Sequence, residues 1–151
     1  MTDSRSQPSQ GRAEKLLRFL KEDGLTVLIV VVIVAVYAYL RTPGDEFASL
    51  SELDARLTAG QPTIVEFYAN NCSICLLNKP RVDQLERDLA GQATVLRLNI
   101  KDNVGLALAS RWNVVGVPTF FVLNGAGDVV YGRAGAPDIE SLKAAVVAAQ
   151  P

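Results

Sequence analysis

Apolar residues fall along this chain in three rhythms. From Leu25 to Leu40 they run almost unbroken, mostly Val, Ile and Leu, with no charged residue among them. Further on, short apolar runs of strand length occupy residues 63–69, 94–100 and 119–123. Between these runs, apolar positions recur every three or four residues, the spacing of one helix face.

Each helical stretch carries its own start and stop signals. Leu50, Leu53 and Leu57 form a stripe led by Ser49, with Glu52 three residues on as a capping box, and Gly60 and Pro62 end it. Val82, Leu85 and Leu89 predict a second helix from Cys72 to about Ala90, with Pro80 inside it, where a kink is expected, and Gly91 as its stop. Asn103 is placed to cap a third helix ending at Arg111, and Asp138 a fourth ending near Ala149. Asn124-Gly125-Ala126-Gly127 is a turn joining the strand at 119–123 to another at 128–132. The order α-β-α-β-α-β-β-α predicts an α/β fold, a parallel core with an antiparallel hairpin on one side.

The uncharged segment is a different object. With Gly24 it makes 17 residues, at the short end for a transmembrane helix. Tyr37 and Tyr39 suit one interface, Lys21 can snorkel at the other, and the Leu16–Leu20 turn can lengthen the buried part. A buried core helix would show a polar face, which is missing here. A cleaved signal peptide could end at Val36-Tyr37-Ala38, but bulky Tyr39-Leu40 follows. The reading is an uncleaved anchor. Arg5, Arg12, Lys15, Arg18 and Lys21 precede it and only Arg41 closely follows, so the N-terminus is expected in the cytoplasm and residues 41–151 outside it. The expected divisions are a cytoplasmic arm at 1–23 (polar and disordered over 1–11, amphipathic over 12–23), a transmembrane helix at 24–40, a linker at 41–46 and a folded domain at 47–151.

Composition narrows the chemistry. Histidine is absent, which excludes Ser-His and Cys-His catalysis and any metal site needing imidazole. Two cysteines cannot complete a four-thiolate zinc site within one chain. A net charge of −1 gives no basic surface for nucleic acid. The two cysteines are Cys72 and Cys75, three apart, after a strand and at a helix start. That setting points to a redox-active dithiol, with no metal and no cofactor beyond the dithiol itself. A purely structural disulfide would close so short a loop that it would add little stability.

Several residues together resemble the thioredoxin family: Cys72-Ser73-Ile74-Cys75 at a helix start, Pro80 beyond it, Val115-Gly116-Val117-Pro118-Thr119, Glu66 six residues before Cys72, Arg97-Leu98-Asn99-Ile100, and Gly135. The resemblance covers residues 47–149. It implies a thioredoxin fold, a central mixed sheet flanked by helices, here preceded by one transmembrane helix. Residues 62–69 are most similar to membrane-anchored, extracytoplasmic members, of the thylakoid-lumenal or cytochrome c maturation type, which lack the first strand of free thioredoxins. Asn71 stands where the family has an aromatic residue, Ser73-Ile74 where it has Gly-Pro, and Leu76 where it has a basic residue. These positions bear on redox poise.

The resemblance also implies roles. Cys72, at the helix N-terminus where the dipole favours a thiolate, is the nucleophile. Cys75, one turn deeper, resolves the mixed disulfide. Glu66, on a central strand, is the proton acceptor, with desolvation raising its pKa. Pro118 is a cis-proline whose loop presents the Val117 backbone to a substrate strand. Ile74 and Trp112, with Leu76, are candidates for an apolar docking rim; Leu76 and Trp112 also read as core. Arg97 and Lys101 read as surface charge unless they lie near Glu66. The implied function is disulfide reduction of exported proteins, apocytochrome c among them, with electrons from a membrane thiol transporter. The alternatives are a disulfide-forming oxidase and a redox-inert or metal-carrying binding module.

Overall fold

The computed structural model describes residues 24–150. The polar arm at 1–11, the amphipathic stretch at 12–23 and Lys21 lie outside them. The chain divides into two compact units, one ending at Leu40 and the other beginning at Arg41.

The first unit contains helix α1, Gly24–Leu40. Its apolar side chains are exposed around the helix, Leu25, Ile29, Ile33 and Tyr37 among them. At 1.5 Å per residue it is about 26 Å long. Among the described residues no helix is long and apolar enough to cross a membrane.

The second unit contains α2 (Leu50–Leu57), β1 (Thr63–Tyr68), α3 (Ser73–Asp88), β2 (Thr94–Asn99), α4 (Asn103–Arg111), β3 (Thr119–Leu123), β4 (Val129–Ala134) and α5 (Ile139–Ala148). The four strands form one sheet in the order β2-β1-β3-β4. β1 runs parallel to β2 and antiparallel to β3, and β3 pairs antiparallel with β4. Every residue of β1 is buried, as its near-continuous apolar run requires of a central strand.

Alternation along β1 sends side chains to two cores. Ile64 joins Val82 and Leu85 of α3, Phe120 and Val122 of β3, and Leu142 and Val146 of α5. Val65 and Phe67 join Leu53 and Leu57 of α2, Leu96 and Leu98 of β2 and Leu108 of α4. Glu66 is one strand period from Ile64, which directs the carboxylate to the α3 side of the sheet.

The caps follow the sequence with one correction. Ser49 Oγ accepts from the Glu52 amide at 3.2 Å, and Glu52 Oε2 reaches back to the Ala48 amide at 2.8 Å. Asp138 caps α5 through the Ser141 amide at 3.3 Å. Asn103 does not cap α4: it is the first helical residue, and Asp102 holds the cap position without a side-chain cap hydrogen bond. Asn124 stabilises the hairpin turn, its Oδ1 accepting from the amides of Ala126 and Asp128.

Residues 42–45 are strapped along the outer edge of β2 and the end of β1. The Asp45 amide donates to the Arg97 carbonyl at 2.9 Å, and Asp45 Oδ2 accepts from the Arg97 amide at 2.8 Å. Thr42 donates its amide to Asn70 Oδ1 at 3.2 Å, and its carbonyl accepts from Tyr68 Oη at 3.2 Å. Gly44 sits so close that a Cβ would run into the Tyr68 hydroxyl.

Candidate active site

The site is built where α3 begins. Cys72 is the N-cap of α3, with extended backbone angles, and its Sγ accepts the Cys75 amide at 3.2 Å. A helix N-terminus leaves amides without intrahelical partners, and here the sulfur takes one of them. The same contact and the helix dipole stabilise negative charge on Cys72 once the disulfide opens. Cys72 and Cys75 are joined as a disulfide, their Cα atoms 5.3 Å apart. Cys75 is buried at 3% exposure, while Cys72 is half-buried. The outer sulfur is thus the accessible one.

The loop before β3 faces the dithiol. The Val117–Pro118 peptide bond is cis. The Val117 carbonyl oxygen lies 3.6 Å from Cys72 Sγ, within reach of a thiol donor in the reduced form. Two contacts hold this loop. Thr119 Oγ1 donates to the Gly116 carbonyl at 2.7 Å, and the Gly135 amide donates to the Pro118 carbonyl at 2.8 Å. Gly135 makes that contact from φ +90°, a conformation that penalises any side chain.

Behind the dithiol helix lies Glu66, 3% exposed. Desolvation raises its pKa to about 7, against the opposing charge of Arg97; Asp83 and Glu86 push it further up. Its Oε2 is buried without a hydrogen-bond partner among the described residues. Arg97 sits beside it in the β1–β2 register and is itself only 4% exposed. Arg97 is thus the exception foreseen for a residue near Glu66, while Lys101 is exposed surface charge.

Arg97 turns its guanidinium toward α3. Nη1 donates to Asp83 Oδ1 at 2.6 Å and Nη2 to Glu86 Oε2 at 2.8 Å, while Nε stands 3.7 Å from Glu66 Oε2. Lys79 also pairs with Asp83, at 2.8 Å. Partial burial works against a charged Asp83, but hydrogen bonds from Lys79 and Arg97 outweigh it and hold the carboxyl below its ordinary range. Burial likewise disfavours the Arg97 charge, and its carboxylate neighbours more than restore it.

The expected docking rim is partly redrawn. Ile74 is half exposed and belongs to the surface beside the dithiol. Trp112 does not. Its ring meets Phe67 and Phe121 edge to face, with centroids 5.8 and 5.1 Å away, and packs on the core shared by α2 and α4. A flat indole fills that gap between two rings better than it would face water. Leu77, 78% exposed, and Val115, 91% exposed, are the large apolar side chains that sequence reasoning passed over near the motif and the proline loop.

Arg97, Asp83 and Glu86 were also missed as a group. The available signal was a lone arginine inside an apolar strand, matched by a lone glutamate inside another. Lys79, Asp83 and Glu86 add a charged stripe at helical spacing beside apolar Val82 and Leu85.

Comparison with known proteins agrees with this geometry. A thiol:disulfide interchange protein, the TxlA homolog of Synechocystis, is 28% identical over 136 residues, covering 84% of this chain and 76% of that protein. The chloroplastic thioredoxin-like protein HCF164 of Arabidopsis thaliana is 30% identical over 115 residues, covering 72% of this chain but only 44% of its own length. A solved chain from work on thiol resolution in yeast mitochondrial 1-Cys peroxiredoxin via glutathione/thioredoxin systems has a TM-score of 0.60. At 16% identity, covering 70% of this chain and 94% of that one, it shows the fold alone. The family model described as thioredoxin matches residues 47–148, well over half of the sequence and every helix and strand of the dithiol domain; the chain belongs to the thioredoxin family.

Proposed function

We propose that this protein is a membrane-anchored thiol–disulfide oxidoreductase that reduces disulfides of exported proteins. The observation that carries the redox chemistry is Cys72 Sγ as the cap of α3, accepting the Cys75 amide beside the Val117 carbonyl. Cys72 as thiolate attacks one sulfur of a partner disulfide, and the partner's other sulfur leaves as a thiolate. Cys75 then attacks Cys72 Sγ, giving its proton to Glu66, and the partner's second sulfur leaves. The partner ends as a dithiol and this protein as the Cys72–Cys75 disulfide. The Val117 backbone beside the attacking sulfur suits an extended partner strand, and Ile74 supplies apolar contact.

The location rests on three supports. α1 is apolar on all sides, basic residues collect ahead of it in sequence, and the matched relatives include a chloroplastic thioredoxin-like protein. The thioredoxin domain is then extracytoplasmic, in a periplasm, cell-wall space or thylakoid lumen. Its electron donor is a membrane thiol transporter, and its acceptors are the disulfide forms of exported dithiol proteins, apocytochrome c among them. The measurement that tests the direction is the reduction potential of the Cys72–Cys75 couple. A value near −270 mV supports a reductant, and one near −120 mV makes the protein an oxidase. Protease digestion of residues 41–151 only from the cytoplasmic side would overturn the topology.

A further inference from the structure

Glu66 is surrounded by more charge than a proton acceptor needs. Around it stand Arg97 from β2, Lys79, Asp83 and Glu86 from α3, and Tyr68 two positions along β1. β3 brings only apolar Phe120 opposite it. The nearest cation does not hydrogen-bond to it. Arg97 directs both terminal nitrogens to the helix, at 2.6 and 2.8 Å, and leaves Nε at 3.7 Å from Oε2.

We infer that Asp83 and Glu86 are positioning residues for the exchange reaction: by holding the Arg97 guanidinium on α3 they keep it from closing on Glu66, so that the buried carboxylate remains a usable proton acceptor. The inference rests on the reading of Cys72–Cys75 as an exchanging dithiol and adds a part to the same site.

The physical argument is a competition for one cation. A guanidinium offers a planar fork, best satisfied by carboxylates approached edge-on. Asp83 and Glu86 occupy the outer positions of that fork. They are also partly solvated, at 28% and 53% side-chain exposure, so remaining ionised costs them little. Glu66 has no such solvation. If the two helix carboxylates lost their charge, the anions left beside the buried arginine would be Glu66 and Asp45, and Asp45 Oδ2 is already engaged by the Arg97 amide. A closed Arg97–Glu66 pair would fix Glu66 as a carboxylate and make it a poor base. A cavity of about 270 Å³ between Arg97, Asp83, Glu86 and residues 43–45 gives the outer carboxylates access to water. The two carboxylates therefore act as a counterweight on the arginine.

The test uses the full chain in detergent micelles, oxidised so that neither cysteine titrates. The Glu66 carboxyl is followed by carbon NMR against pH in Asp83→Asn/Glu86→Gln, which keeps hydrogen-bond acceptors and removes both charges. The Glu66 midpoint is expected to fall by about one pH unit or more, and by less than about half as much when the same two substitutions are made in an Arg97→Met background, where only the lost direct repulsion remains. Asp83→Glu keeps the charge and is expected to leave it in place. In the reduced chain, the acid limb of the resolving rate should move down by the same amount, and Glu66→Gln should abolish that movement. An unchanged Glu66 midpoint in the double variant overturns the inference. If the double variant fails to fold, Glu86→Gln alone, at the more exposed position, must lower the midpoint; a midpoint unmoved there overturns it too. The titration does not depend on exchange activity. A Cys72→Ser chain that still exchanged disulfides would sink the dithiol reading and leave this result standing.

Discussion

Glu66 and Arg97 are cross-strand neighbours of opposite charge, both almost wholly buried, and yet no hydrogen bond joins them: Nε and Oε2 are 3.7 Å apart. The pair lies between a strong ion pair and a neutral contact. That intermediate state makes its protonation sensitive to pH.

The sign of the pH effect follows from burial. Glu66 titrates near 7 when folded and near 4.5 as a free side chain. The folded chain thus binds this proton more tightly than the unfolded one. Its contribution to stability is complete below pH about 4.5 and is lost as pH rises through about 7, roughly 3 kcal/mol in all. Glu66→Gln should remove this slope and leave the oxidised protein more stable than the parent at about pH 8. Urea denaturation across that window checks it; parallel profiles for the two proteins would show that Glu66 does not titrate there.

The same substitution should slow chemistry. Glu66→Gln cannot accept the Cys75 proton, so the resolving step should fall by about 100-fold. Formation of the mixed disulfide by Cys72 should change little. Rapid-mixing kinetics with a small disulfide separates the two steps.

Cys75→Ser should accumulate mixed disulfides on Cys72, and Cys72→Ser should form none. Non-reducing electrophoresis of membranes expressing each variant reads this directly. Adducts on the Cys72→Ser chain as well would mean that Cys75 also attacks and that Cys72 is not the sole nucleophile.

Trp112→Ala removes the indole from between Phe67 and Phe121. A large-to-small change there should cost about 3 kcal/mol of stability. The rate of Cys72 with a small disulfide should hold, measured where the variant is still folded. A large loss of rate with intact stability would return Trp112 to the docking surface.

Arg97→Met should destabilise the domain by about 3 kcal/mol, because it strands a buried carboxylate and releases Asp83 and Glu86. Glu66 should then hold its proton to still higher pH, and the acid limb of the resolving rate should move up. The opposite movements expected from Arg97→Met and from Asp83→Asn/Glu86→Gln make the pair of experiments more decisive than either alone.

What could be read from the sequence was what is local. The strand read at 63–69 announced itself by its apolar run, the helix after it by period, and Ser49 and Asp138 by capping chemistry. Cys72 and Glu66 stood out because each is an anomaly in its own segment: a thiol at a helix start, a charge in an apolar strand. Arg97 is an anomaly of the same kind, but its partners lie 11 and 14 residues back, on a helix whose rotation about its axis is set by packing. Trp112 was ambiguous because one of its ring neighbours, Phe67, comes from a strand far back in sequence, and the other, Phe121, is brought to it by the turn through the proline loop. Asn103 lost the cap to Asp102 because both residue types suit it and one residue of register decides.

The segment at 42–45 has a consequence for how the molecule can be cut. It lies along the outer edge of β2, with the Asp45 amide bonded to the Arg97 carbonyl and the Asp45 carboxylate to the Arg97 amide. A fragment beginning at Glu46 would keep every residue of the dithiol motif and still lose that cover. It would present a bare strand edge to other molecules and loosen the residue that governs Glu66. The functional boundary of the redox domain is therefore Thr42, ahead of its first helix and of its first strand.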